Sequence, residues 1–169
     1  MAAETQHAKL PSVLWLARHD GIHTAIETCG HTQWDVYERL LPWLDVVLYD
    51  VKHIDAAVHQ QHTGFDNALI LDNLVKLTAA GARVRVRIPL IPGFNADPAT
   101  IAGIAAYVRR LPGPVAGIDL LPYHSLGKAK YAALGRVYPW EGHMRLSEAE
   151  VSACAAAVRA ENLPVTIGG

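Results

Sequence analysis

Four short stretches place ionisable side chains at the ends of apolar, strand-like runs: Glu27-Thr28-Cys29-Gly30, Asp50-Val51-Lys52-His53, Arg87 ahead of Pro92-Gly93, and Pro122-Tyr123-His124. In parallel α/β sheets, chemistry gathers at the carboxyl ends of the strands. An acid, a lysine, an arginine and a histidine on one rim suit a small ligand carrying both a carboxylate and an amine. Asp50 and Lys52 lie two apart and so share a face of their strand, which serves a ligand contact or a structural ion pair equally. Arg83, Arg85 and Arg87 share a face by the same rule. Arg83 and Arg85 read as solvated, and Arg87, deepest in the run, as the site residue. His124 reads either as a ligand contact or as a hydrogen-bonded core histidine. Of the nine histidines, His59 and His62 have the spacing to share a helix face.

The elements that must position these residues alternate along the chain. Residues 12–19 read as a helix ending at Asp20-Gly21, and 23–28 as a strand. Residues 33–41 put Trp34, Tyr37 and Leu41 on one helical stripe that Pro42 stops. Residues 45–51 are a continuous apolar strand. Asp66 or Asn67 caps a helix with the stripe Ile70, Leu74 and Leu77, and Gly81 follows its end. Residues 83–91 alternate Arg and Val as a strand does. Asp97-Pro98 opens a helix with the stripe Ile101, Ile104, Ala105 and Val108. Residues 116–122 read as a strand, Ser147-x-x-Glu150 as a capping box, and 164–168 as a closing strand. Repeated αβ alternation predicts a mainly parallel sheet in a single domain, residues 1–169. A parallel sheet entered on a helix has a raw edge at its first strand.

Composition excludes several classes. Half of the 169 residues are hydrophobic (51%) and 18% are charged, which a disordered chain does not show. A formal charge of -1 gives no basic field for nucleic acid. Charges or prolines interrupt every apolar run short of the roughly 20 residues of a membrane helix. The first ten residues hold no signal-peptide core, so a cytoplasmic setting is expected. Two cysteines, Cys29 and Cys154, cannot make a disulfide framework or a four-cysteine metal site. Cys154 falls on the stripe Val151, Cys154, Val158 and reads as a small core residue.

Several blocks then form a pattern: GIHTAIETCG (21–30), LYDVKH (48–53), HQQHTGFDNALILDNL (59–74), RVRIPLIPGFN (85–95), LLPYHSLGKAKYAALG (120–135) and VTIGG (165–169). In order and spacing they resemble the glycyl-radical-enzyme activating enzymes, which include pyruvate formate-lyase activase, within the radical S-adenosylmethionine (SAM) superfamily. The ETCG and VTIGG blocks look more like activases of glycerol-, choline- or decarboxylase-type enzymes. The resemblance implies an α/β fold, a partial (β/α) TIM-like barrel of the radical SAM type, with SAM across the strand ends. It implies that Glu27 and Thr28 help place the SAM amino group, partly through a bound cation. Asp50 and Lys52 then contact the cation, SAM and the partner's glycyl loop, while Arg87 lines the SAM and peptide site and His124 contacts SAM. The partner implied is a glycyl-radical enzyme, and the reductant of the full-length family is a flavodoxin or ferredoxin.

The family's CxxxCxxC motif, whose thiolates hold a 4Fe-4S cluster that reduces SAM, is absent from this chain. So is its GGE motif, which would fall at Met1 and Ala2. The expectation is therefore the C-terminal part of such an activase, truncated at the N-terminus, inactive alone, with no cluster ligated here. Two rivals stand beside it. One is a non-catalytic remnant that only binds a partner chain. The other is an unrelated βα lyase using Lys52 as a Schiff-base amine.

Overall fold

The computed structural model describes residues 2–123, 128–137 and 145–168, with side chains from Leu10 onward and not for 128–130. The elements are α1 (Ala2–His19), β1 (Ala25–Thr28), α2 (Trp34–Leu40), β2 (Val46–Asp50), α3 (Ala56–Thr63), α4 (Ala68–Ala79), β3 (Val84–Leu90), α5 (Pro98–Arg109), β4 (Val115–Pro122), α6 (Lys128–Ala133), α7 (Glu148–Ala160) and β5 (Val165–Ile167). The five strands form one sheet in chain order, β1-β2-β3-β4-β5, with every pairing parallel. Parallel neighbours in chain order, joined by right-handed crossovers, put every connecting helix on the same side of the sheet. That winding is compatible with a partial (β/α) barrel, and among the described residues β1 and β5 are the two edges of the sheet.

Burial follows this one-sided covering. Val84, Val86, Ile88 and Leu90 of β3 are all fully buried, and Val47 and Tyr49 of β2 and Ile118 and Leu120 of β4 join them. Against them pack Leu74 and Leu77 of α4, Ile101 and Ile104 of α5, and Cys154, Ala155 and Val158 of α7. The alternate residues of each strand face the uncovered side, among them Glu27, Asp50, Arg85, Arg87 and Asp119. The strand period of two therefore separates a hydrocarbon layer from a polar face.

Helix ends follow the sequence signals at two places. The Asp97 carboxylate accepts from Thr100 N at 2.9 Å with Pro98 at the first helical position. Ser147 and Glu150 form a reciprocal capping box. Four elements differ from expectation, one of them the short helix α6, which the sequence pattern did not place. The first helix runs from Ala2 through Pro11 rather than starting at residue 12, since Ala, Glu, Gln, Lys and Leu before the proline favour helix. Asn67 occupies the cap position of α4 without capping it; its amide serves elsewhere. Helix α3 carries no apolar stripe, so periodicity missed it. Its signals were the Asp55 cap, which accepts from Val58 N, and Gly64 at φ 86° closing it. Among the described residues, no helix is long and apolar enough to cross a membrane.

Candidate functional site

The strand ends are held in place by buried amides. After β1 the chain turns at Gly30, with φ +80°. A Cβ at that position would lie 1.8 Å from Tyr49 Oη, so only glycine fits. Asn73, fully buried on α4, donates to Gly30 O at 2.9 Å and to Thr32 O at 2.7 Å. Asn95 is also fully buried. It donates to Lys52 O and Pro89 O and accepts from Ile91 N, each at 2.8 Å, tying the end of β2 to the end of β3. Asn67 donates to His53 O at 2.8 Å. Three asparagines thus fix the backbone on which the candidate residues stand, and the sequence reading singled out none of them for this. For Asn73 the available signal was an amide side chain next to the apolar stripe of a helix, where it has to find backbone partners; Asn95, in the turn after β3, carries no such mark.

Four candidates come together on the uncovered face: Glu27, Asp50, Lys52 and Arg87. Lys52 Nζ lies 3.2 Å from Asp50 Oδ2, and Arg87 Nη1 lies 2.5 Å from Glu27 Oε2. Arg87 is largely buried and Glu27 is 61% exposed at the sheet edge. Asp50 Oδ1 is buried and has no hydrogen-bond partner. Thr28 does not point with these residues. Its register partner is the buried Tyr49, and its hydroxyl meets Tyr37 Oη and accepts from Gly30 N, both at 3.1 Å. His124 lies outside the described residues, as do residues 125–127 and Gly169 of the quoted blocks.

Arg85 is not solvated. Its Nε lies 2.6 Å from Asp119 Oδ2 and its Nη2 2.5 Å from Asp119 Oδ1, a two-pronged contact with a carboxylate that is 5% exposed. Thr166 donates to the same carboxylate. Burial pushes the Asp119 carboxyl up, but the hydrogen bonds from Arg85 and Thr166 and the two arginine charges hold it below its usual range. The same contact raises Arg85. A cavity of about 580 Å³ opens over Leu48, Arg85, Arg87 and Asp119 on this face. At the opposite end of the strands, a depression of about 370 Å³ offers only Arg109 and Asn162 as side-chain polar groups.

The histidines divide. His59 is buried, and its Nδ1 lies 2.7 Å from Phe65 O. His53 and His62 stack on Phe94, with ring centroids 5.7 and 4.3 Å away. No group of three or more metal-ligating side chains occurs among the described residues. Cys29 is exposed beyond β1, while Cys154 is buried beneath the sheet and its thiol is pushed up by burial.

The resemblance implies two groups at this face, a 4Fe-4S cluster and SAM. Three thiolates are needed to hold a 4Fe-4S cluster with one iron open, and the two cysteines lie on different layers of the fold. The described residues therefore do not fit a cluster. They do fit the amino-acid end of SAM. An unpartnered buried carboxylate oxygen suits an ammonium, and Lys52 and Arg87 beside it suit a carboxylate.

No family model matches the chain. The choline trimethylamine-lyase activating enzyme of Oleidesulfovibrio alaskensis is 40% identical over 158 residues, 92% of this chain and 51% of that protein. Activating enzymes for other lyases, dehydratases and decarboxylases are 34% to 48% identical over shorter or similar spans. A crystal structure of a domain of pyruvate-formate lyase-activating enzyme from Bacteroides vulgatus superposes with a TM-score of 0.81 at 28% identity, covering 98% of this chain and 92% of that one. A radical SAM methyltransferase from Sphaerobacter thermophilus shares the fold at a TM-score of 0.61 and 17% identity, covering 85% of this chain and 39% of that one. The chain spans about half the length of the curated relatives it matches.

Proposed function

The chain belongs to the glycyl-radical-enzyme activating enzymes and carries a partial radical SAM fold, and from that premise we propose that it supplies the SAM- and partner-binding face of such an activase. On this reading it is a C-terminal portion, a single domain over 1–169, that works with cluster ligands supplied from outside its own residues. The partner is a glycyl-radical enzyme, and the electron donor for the assembled activase is a flavodoxin or ferredoxin. SAM, when bound, supplies the group that takes hydrogen from a glycine of the partner.

The observation that carries this reading is Asp50 Oδ1, buried without a partner at a strand end between Lys52 and Arg87. A buried acceptor left unsatisfied costs about 1–3 kcal/mol. An arriving ammonium removes that cost and gains a charge-assisted hydrogen bond. Lys52, already turned to Asp50, and Arg87, turned to Glu27, then hold the carboxylate of the same ligand. The face carries Glu27, Asp50 and Asp119 against Lys52, Arg85 and Arg87, so its charges balance and a zwitterion enters without net repulsion. Thr28 acts by fixing the β1 turn through Gly30 N and Tyr37, and a SAM contact from His124 belongs to the reading on the strength of the LPYH motif alone. Lys52 stands in an ion pair, an arrangement suited to holding a carboxylate, which favours this reading over Schiff-base chemistry.

Calorimetric titration of the purified chain with SAM tests the proposal. Binding is expected, and D50N and K52M are each expected to weaken it by roughly tenfold or more, about 1.4 kcal/mol apiece. After anaerobic treatment with iron and sulfide, no absorbance band of the cluster type near roughly 400 nm should develop, and no 5′-deoxyadenosine should form with SAM and a strong reductant. A wild-type chain that does not bind SAM, yet binds a glycyl-loop peptide, would replace this reading with the partner-binding remnant. Turnover by the chain alone would overturn it.

A further inference from the structure

Arg87 is directed to Glu27 although two carboxylates are nearer in register. Its cross-strand partners are Asp50 on β2 and Asp119 on β4, yet its guanidinium crosses β2 to reach β1. Asp119 is engaged through both oxygens, whereas Asp50 is engaged through Oδ2 alone and keeps Oδ1 unpartnered, so it is at Asp119 that the neighbours exclude Arg87. Lys52 holds Asp50, and Arg85 with Thr166 holds Asp119.

We propose that Arg85, acting through Asp119, is the positioning residue that keeps Arg87 on Glu27. The inference rests on the reading above, in which Glu27 and Arg87 meet the ligand. Three local features make the device. A register shift between Val84 and Arg85 puts Val84 opposite Val115 but Arg85 opposite Gly117. Without that extra residue Arg87 would face Ile118, and Asp119 would turn to the helix-covered side, because a slip of one residue exchanges the faces. Gly117 then leaves the passage that Arg85 uses. Its φ is +145°, and a Cβ there would lie 3.4 Å from Arg85 Nη1 and 3.0 Å from Pro164 O. Finally, the Arg85 fork takes both oxygens of Asp119 while Thr166 takes a further lone pair, leaving little acceptor capacity for Arg87.

Removing the Arg85 charge leaves Asp119 as a buried anion beside Arg87. An uncompensated buried charge captures the nearest cation, so Arg87 leaves Glu27. The test reads the Arg87 Nε–H resonance in full chain labelled with 15N-arginine, assigned by its loss in R87K. In wild type, E27Q shifts this resonance. In R85M the resonance itself moves, and adding E27Q no longer shifts it. In R85M/D119N, where Asp119 carries no charge, the E27Q response returns. SAM titration runs beside it. R85M weakens binding by roughly tenfold, the worth of one charge-assisted hydrogen bond, and R85M/D119N recovers most of that loss. If R85M does not fold, R85K, which keeps the charge but loses the fork, shows a smaller shift of the same sign. Two results would overturn the proposal. One is an unchanged E27Q response in R85M, or in R85K where R85M fails. The other is a double variant no better than R85M, which is what a merely structural Arg85–Asp119 pair gives. The spectra need no ligand, so a chain that fails to bind SAM would refute the functional reading while still deciding this one.

Discussion

Gly30→Ala is the sharpest single test of how the site is built. The alanine must adopt φ +80°, which costs an L-residue about 1–2 kcal/mol. Its methyl group would lie 1.8 Å from Tyr49 Oη and 2.3 Å from Tyr49 Cζ, so the buried ring has to move. Overpacking of that kind costs about 1–3 kcal/mol. Moving the ring also breaks the 2.6 Å hydrogen bond from Tyr49 Oη to Ile70 O, whose loss costs about 1 kcal/mol. Burial raises the Tyr49 phenol, so it stays a donor across the accessible pH range. The sum is about 3–6 kcal/mol, a large share of the ~5–15 kcal/mol total of a typical domain. Urea unfolding followed by tryptophan fluorescence should give that loss with little change in the slope. The second arm removes the obstacle. In a Y49A background, where the ring is gone, Gly30→Ala should cost only the backbone part, about 1–2 kcal/mol. A loss below about 1 kcal/mol in the wild-type background, or the same loss in both backgrounds, would refute the close-approach argument.

Other outcomes follow from the same structure. Asn95→Ala empties a fully buried site of three hydrogen bonds, and urea unfolding should show a loss of about 3–5 kcal/mol, with SAM affinity falling because Lys52 is released. Asp119 has its carboxyl depressed in the folded state, so its contribution is present above the unfolded value of about 4 and is lost as pH falls through the lower folded value. The stability gap between wild type and D119N should therefore be widest near neutrality and close in acid, as measured by unfolding at a series of pH values. A thiol reagent should modify Cys29 in the native chain and Cys154 only on unfolding, read by mass spectrometry before and after denaturant.

The sequence by itself determined the layers and the rim. Strand alternation is local, so RVRVRIPL already placed Arg85 and Arg87 opposite Val84 and Val86, and the apolar run before Asp50 already marked a covered strand. The caps at Asp97 and Ser147 and the core position of Cys154 were legible for the same reason: each depends on neighbours within about one helical turn. The family blocks located Glu27, Asp50, Lys52 and Arg87, which the fold brings to one face. Tertiary structure decided which acid each base meets. Arg85 and Asp119 are 34 residues apart and Glu27 and Arg87 are 60 apart, so their pairing depends on register across the sheet. That register turns on one irregularity between Val84 and Arg85, which no periodicity announces. The asparagines were hidden for a related reason. Asn73 in a helical stripe reads as an interruption, and Asn95 in the segment after β3 reads as turn chemistry, until the backbone each must satisfy arrives from another strand end, as Gly30 O does for Asn73 and Lys52 O does for Asn95.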